Sequence, residues 1–327
     1  MKNQTDIIKW GTKYLVANGY SIEHPSEIVL DRPWSTIIRF STSIGNFYLK
    51  QTPSAISTEP QIIQLLADQF LASVPVVIAS SDDLHCFLMR DAGPSLRQTL
   101  KAEFNADLLC QAITQYASLQ RSTEDHVEAL LKLGVPDWRL DKLPMLYDQI
   151  LSQTDFLKAD GVTDQELQTL RDLSPQFSAQ CELLASYGIP ETIGIPDFHD
   201  NNVLFDPKTK QMKFIDWGEA SISHPFFSLY NCLPQSITHH GVHEGDQTYG
   251  KLQDACLSNW LGLTTKNRLL EVFNLSKQLR IIYGVLGGYR LMVSVDLQTL
   301  NTYHAKLNKS NQLARAFREY IASCGGT

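Results

Sequence analysis

An α+β fold in two lobes is what the sequence predicts: a small antiparallel sheet first, then a larger, mainly helical lobe. Three observations carry it. The chain has 327 residues, more than the roughly 250–300 at which a single core stops growing. Apolar residues alternate along short runs up to Met89, then recur at helical spacing beyond a break at Arg90-Asp91-Ala92-Gly93-Pro94. Within the helical part, residues 193–215 return to strand-like composition. The division falls at the break, with residues 1–92 as the N-terminal lobe and 93–327 as the helical C-terminal lobe.

The elements follow in order. Residues 5–19 place Ile7, Ile8, Trp10, Tyr14 and Leu15 on one helix face, and Gly19 stops that helix. Residues 27–31, 36–41 and 46–51 read as strands, parted by Arg32-Pro33-Trp34-Ser35 and Ser43-Ile44-Gly45. A helix spans 59–70, and two more strands, 74–79 and 85–89, flank Ser80-Ser81-Asp82-Asp83. Helices then cover 104–121, 123–132, 144–157, 163–172 and 176–187. Ser122 with Asp125 and Thr163 with Glu166 read as capping boxes. Pro144 suits a first helical position and Gly188 a stop. Val203-Leu204-Phe205 and Met212-Lys213-Phe214-Ile215 form a hairpin around Asp206-Pro207-Lys208-Thr209-Lys210. Helices resume near Pro225 and continue to the end. The apolar stretch 281–295, interrupted by Arg290, reads as a buried helix.

Composition removes several classes of function. Hydrophobic residues at 43% and charged residues at 19% exclude global disorder. A net charge of −7 argues against nucleic acid as a partner, since binding it needs a positive footprint. The six cysteines are scattered without a C-x-x-C pair, so neither a zinc ribbon nor a disulfide scaffold fits. Met1 to Tyr20 lacks the apolar core of a signal peptide, and no apolar run is long enough to span a membrane. The expectation is a reduced, cytoplasmic protein with no membrane partner. Oligomeric state is unknown from sequence.

The chemistry concentrates in Ile195-Pro196-Asp197-Phe198-His199-Asp200-Asn201-Asn202, followed by Phe214-Ile215-Asp216-Trp217-Gly218. Asp197 and Asn202 sit on an irregular loop feeding the first hairpin strand, and Asp216 ends the second. Phosphoryl transfer from ATP needs such a set: one carboxylate to orient and deprotonate the acceptor hydroxyl, plus a carboxylate and an amide oxygen to hold Mg²⁺. Two ordinary surface turns would use the same residue types. The order of other residues favours chemistry. Lys50 stands alone in the apolar run Asn46-Phe47-Tyr48-Leu49, and Glu59 opens the next helix. A strand lysine, a helix glutamate and then an acidic hairpin is the chain order of a protein kinase.

On these residues the chain resembles the aminoglycoside phosphotransferase family, the small-molecule branch of the protein-kinase-like fold. The resemblance covers residues 25–235. It rests on Arg32-Pro33-Trp34-Ser35, Tyr48-Leu49-Lys50, Thr58-Glu59-Pro60, Leu88-Met89-Arg90-Asp91-Ala92-Gly93, the Asp197–Asn202 loop and Ile215-Asp216-Trp217. It implies Asp197 as catalytic aspartate, and Asn202 and Asp216 as metal ligands. Lys50 would contact the ATP phosphates with Glu59 as its partner, and a hinge near 89–91, from Met89 to Asp91, would take the adenine. Ser35 or Thr36 would offer donors to phosphate in place of a glycine-rich loop. The implied cofactors are ATP and Mg²⁺, and the implied partner is a small-molecule hydroxyl substrate: aminoglycoside-like, an amino alcohol or a sugar.

The chain departs from the family where the loop opens Ile195-Pro196-Asp197 instead of His-Gly-Asp, and Asn201 stands where glycine is frequent. An alternative is therefore a nucleotide-binding pseudokinase that regulates a partner without turnover. Retention of all five polar positions favours the enzyme. His239-His240-x-x-His243 invites a zinc reading, but Gly241 and Gly245 favour a loop. His199 is open to either substrate contact or packing. Tyr116 and Trp138 read as core.

Overall fold

A computed structural model of the chain describes residues 3–307 and 311–325. In chain order it runs α1 (Gln4–Ala17), β1 (Glu27–Arg32), β2 (Ser35–Thr42), β3 (Gly45–Gln51), α2 (Glu59–Phe70), β4 (Val77–Ser81) and β5 (Cys86–Arg90). Helices α3 (Leu96–Ala102), α4 (Ala106–Thr123), α5 (Val127–Lys132), α6 (Leu143–Ser152), α7 (Thr154–Ala159), α8 (Asp164–Asp172) and α9 (Ser174–Ala185) follow. Four short strands come next: β6 (Thr192–Gly194), β7 (Val203–Phe205), β8 (Met212–Phe214) and β9 (Ser221–Ser223). The chain closes with α10 (Pro225–Tyr230), α11 (Cys232–His240), α12 (Gln247–Leu257), α13 (Lys266–Val293), α14 (Leu297–Leu307) and α15 (Gln312–Cys324). Among the described residues no helix is long and apolar enough to cross a membrane.

Two compact units result, and neither is continuous in sequence. The first comprises Met1–Pro94, Leu204–Gly218 and Leu291–Asn308; the second comprises Ser95–Val203, Glu219–Arg290 and Lys309–Thr327.

The first unit is built on an antiparallel sheet of order β1-β2-β3-β5-β4. Alternation assigns its faces. Ile38 and Phe40 of β2, Phe47 and Leu49 of β3, and Cys86 and Leu88 of β5 form one buried cluster with Ile7 and Leu15 of α1. Gly11 lets α1 lie close, since a Cβ there would stand 2.9 Å from Phe40 Cζ. Lys50, next to Leu49, points to the opposite face. The β7–β8 hairpin docks through Phe205 N–H to Pro94 O and Phe214 N–H to Ser73 O, each 2.8 Å. Gly93, at φ +99°, permits this approach: a Cβ would meet Phe205 O at 2.7 Å. Trp34, in the β1–β2 turn, packs edge-on against Tyr303 of α14, with ring centroids 5.1 Å apart.

In the second unit α4 packs against α12, and β6 pairs antiparallel with β9. Buried Phe226 meets Trp260 and Phe273 edge-on. The capping box at Thr163 and Glu166 is formed, and Pro144 lies in the first turn of α6. Two sequence expectations need correction, and one helix is added. Ser122 caps nothing: α4 runs on to Thr123, whose side chain is buried, and Ser122 Oγ bonds back to Leu119 O. The expected helix 144–157 breaks at Gln153, where ψ of 51° leaves the helical region. Helix α3, capped by Ser95, was not foreseen between the linker and α4.

Candidate active site

Two groups of the predicted residues assemble, each within one unit. In the first unit Lys50 Nζ lies 2.7 Å from Glu59 Oε2 and 2.5 Å from Asp216 Oδ1. Lys50 is 6% exposed and Glu59 2%. Burial alone would lower the lysine's pKa, but the charges of Asp216 and Glu59 outweigh it and hold the ammonium protonated. Burial pushes the Glu59 carboxyl up, against the pull of Lys50. Asp216 is the open member, its side chain 30% exposed. Its backbone sits at φ +74°, a left-handed geometry that a β-branched residue would resist. Gly218, two residues on, leaves space for the pair: a Cβ there would stand 3.1 Å from Glu59 Oε2.

The other residues expected on the nucleotide side also lie in the first unit. Ser35 opens β2, buried, and its Oγ has no hydrogen-bond partner there. Met89 pairs with Tyr48 across the sheet and with Val77 on its other side. Asp91 accepts from Asn46 Nδ2 at 3.2 Å and from Gly93 N–H at 2.9 Å, which fixes the turn after β5. The N–H groups of Arg90 and Asp91 donate to Val76 O and Asn46 O.

In the second unit the loop from Asp197 to Asn202 is tied down on every side. Asp197 Oδ1 accepts from Asn231 Nδ2 at 3.1 Å, and Oδ2 lies 3.2 Å from His199 Nε2. His199 Nδ1 accepts from Asn201 N–H, so in the neutral ring Nε2 carries the hydrogen and donates it to Asp197. Asn202 Nδ2 donates to Asp197 O at 3.0 Å. Asp200 is buried, where Arg97 Nε and Nη2 and His240 Nε2 converge on it. Burial would raise its pKa, but the bonds from Arg97 and His240 outweigh that and lower it. At the loop's entrance Ile195 N–H donates to Tyr116 Oη, and the Tyr116 ring stacks on Phe198 at 3.5 Å.

Sequence reasoning left His199 undecided between substrate and packing; its ring bonds to Asp197. Asn231, Arg97 and Asp200 were missed, and only His240 had drawn notice. It ends α11 and pairs with Asp200 instead of lying in a loop. Among the described residues no three His, Cys, Asp or Glu side chains gather as a metal site. Tyr116 is core, as read, and also anchors the loop.

The architecture is a two-lobed protein-kinase-like fold. Similar solved structures include a macrolide 2'-phosphotransferase type I (TM-score 0.59, 13% identity, 94% of this chain and 98% of that one). An ethanolamine kinase from Plasmodium vivax gives 0.58 at 11% identity over 99% and 95%. The choline kinase LicA from Streptococcus pneumoniae gives 0.58 at 10% identity over 96% and 100%. No curated protein sequence matches the chain. The model of the phosphotransferase enzyme family (APH) matches residues 35–260, well over half the length, and the chain belongs to that family. It is a small-molecule phosphotransferase by that membership.

Proposed function

We propose that the protein moves the γ-phosphate of ATP onto a hydroxyl of a small molecule, using Mg²⁺. The observation that carries this reading is Asp197. Its side chain is 60% exposed, yet both oxygens are aimed, Oδ1 by the Asn231 amide and Oδ2 by the His199 ring. A base must keep its charge available and its direction fixed, and among the described residues no lysine or arginine pairs with it. Asp197 takes the proton of the acceptor hydroxyl while that oxygen bonds to the γ-phosphorus and the bond to ADP breaks.

The residues fit the metal. Because Asn202 Nδ2 is engaged with Asp197 O, its amide oxygen is left as a ligand. That amide oxygen in the second unit and the Asp216 carboxylate in the first are each the kind of hard oxygen ligand that Mg²⁺ prefers. Bound Mg²⁺ neutralises charge on the phosphates. Lys50 contacts the α- and β-phosphates, Glu59 holds Lys50, and the orphaned Ser35 hydroxyl donates to phosphate. The strand end at 89–91 receives the adenine. The acceptor classes in view are aminoglycoside-like compounds, amino alcohols and sugars.

Turnover tests the reading. Asp197→Asn should lower kcat by about 10²–10⁴-fold with an unchanged circular dichroism spectrum. Asp216→Asn should weaken ATP binding with Mg²⁺ more than without it in calorimetric titration. Near-normal phosphate transfer by folded Asp197→Asn would overturn the assignment. Equal losses with and without metal would reduce Asp216 to a structural residue.

A further inference from the structure

Helix α13 carries two cations, exposed Lys277 and partly buried Arg280, that form no ion pair among the described residues. Phe273, Lys277 and Arg280 recur at i, i+4 and i+7, so they share one face. Tyr230, the last residue of α10, packs on that face. Its ring lies 5.1 Å from the Phe273 ring, 4.8 Å from Arg280 Cζ and 5.9 Å from Lys277 Nζ. Arg280 Nε is buried with no hydrogen-bond partner. Four other arginines of this unit, Arg97, Arg121, Arg139 and Arg318, each close on a carboxylate, while Arg268 lies over the Tyr187 ring at 4.6 Å; only Arg280, among the described arginines, has a buried Nε left without a partner. Neither Arg280 nor Lys277 forms an ion pair among the described residues; Glu319 and Glu244 act on this cluster only from a distance.

The tyrosine does not account for this arrangement. A cation over an aromatic ring gains about 0.5–2 kcal/mol. An orphaned buried donor on a charged group costs about as much or more, and a second cation at the same ring adds repulsion. Lys277 is exposed and hydrated, so the orphan is Arg280; an anion at its guanidinium would draw on both charges, and a buried orphan of this kind is where an absent partner is to be sought.

Position relative to Asp197 follows from the helix. Gly287 lies seven residues beyond Arg280 on the same face, and Pro196 packs there: a Cβ on Gly287 would stand 3.2 Å from Pro196 Cβ. Seven residues of helix span about 10 Å. From the other side, Tyr230 directly precedes Asn231, whose amide holds Asp197. The cations therefore lie on the order of 10 Å from the loop that presents the base.

We propose that Arg280 and Lys277 form the anion subsite of the phosphate acceptor. The acceptor is then a hydroxy compound with a carboxylate or phosphate on the order of 10 Å from its reacting hydroxyl, which favours acidic sugar-like compounds over cationic amino alcohols. This rests on the reading of Asp197 as the base.

A chemical ruler tests it by calorimetry on the full chain with ATP and Mg²⁺. The probes are ω-hydroxyhexanoate, ω-hydroxyoctanoate and ω-hydroxydecanoate, each beside its matched diol and amino alcohol, with ω-hydroxyoctyl phosphate as the phosphate arm. At least one anionic member should bind about 10–100-fold tighter than its matched diol, as charge-assisted bonds would give. Arg280→Met with Lys277→Met should erase that preference, and Arg280→Lys, which also serves if the methionine variant fails to fold, should keep part of it. The carboxylate and phosphate arms show which anion is taken. No tighter binding of any anionic member by the wild type, or a preference that survives the double substitution, overturns the proposal. Failure of the wild type to bind ATP would instead strike at the phosphotransfer reading.

Discussion

The two halves of the proposed chemistry are held in opposite ways. In the first unit Lys50 is sunk between Glu59 and Asp216, charge against charge. In the second, Asp197 stands largely in solvent, held by an amide and an imidazole. The difference teaches what each group is for. A cation that must stay charged beside phosphates gains from burial among carboxylates, which keep its proton on. A carboxylate that must accept a proton would be spoiled by such a partner, because a neighbouring cation makes it a weaker base. The Asn231 amide and the His199 ring direct it with no lysine or arginine beside it among the described residues.

The sharpest way to break the contrast is to remove Lys50. Lys50→Met leaves Glu59 buried without its cation and should cost about 3–5 kcal/mol of stability, besides weakening ATP binding. Lys50→Met with Glu59→Gln should recover much of the loss, which thermal melts of the wild type and the two variants would show. If the single variant melts like the wild type, the pair is not the closed cluster described.

A second test uses acid. His224 caps α10, accepting from Phe226 N–H, and lies fully buried between Phe226 and Phe227. Burial lowers its pKa from the ordinary 6.5 to about 3. The unfolded chain therefore binds the proton first. Stability from this residue is complete above about 6.5 and declines as pH falls toward 3. Since α10 leads directly into Asn231, the support of Asp197 should be acid-sensitive in its own right. His224→Asn, which keeps a capping acceptor, should flatten the pH dependence of chemical denaturation between those values; an unchanged slope would remove His224 as the cause.

The smallest expected effect is at His199. His199→Leu deletes one hydrogen bond to Asp197, worth about 1 kcal/mol, so kcat should drop roughly fivefold to tenfold with little change in KM. His199→Gln can offer an N–H in its place and should restore part of the rate. A loss confined to KM would make His199 a substrate contact instead.

Legibility in the sequence tracked distance along the chain. Alternation in β2 and β3 and the spacing in α2 announced themselves because each pattern is local. So did Asp197 and Asn202, which share one short loop. The residues that went unread find their partners far away: Asn231 is 34 positions from Asp197, and Arg97 is 103 from Asp200. An arginine in a short helix looks like any solvated charge until its carboxylate is known. The break at Gln153 and the three-residue strands β6 and β9 carry too few residues to show a period. The return of 291–308 to the first unit follows from packing and left no motif.

That return has a consequence for how the protein is made. Trp34 and Tyr303 meet edge to edge, yet about 270 residues separate their translation, on the order of 10–50 s at ribosomal speeds of roughly 5–20 residues per second. A nascent chain can present Lys50, Asp197 and Asp216 while the turn bearing Ser35 still waits for its packing partner. Messages truncated near codon 290 would encode every residue of the proposed chemistry and still lack the ring against which Trp34 packs.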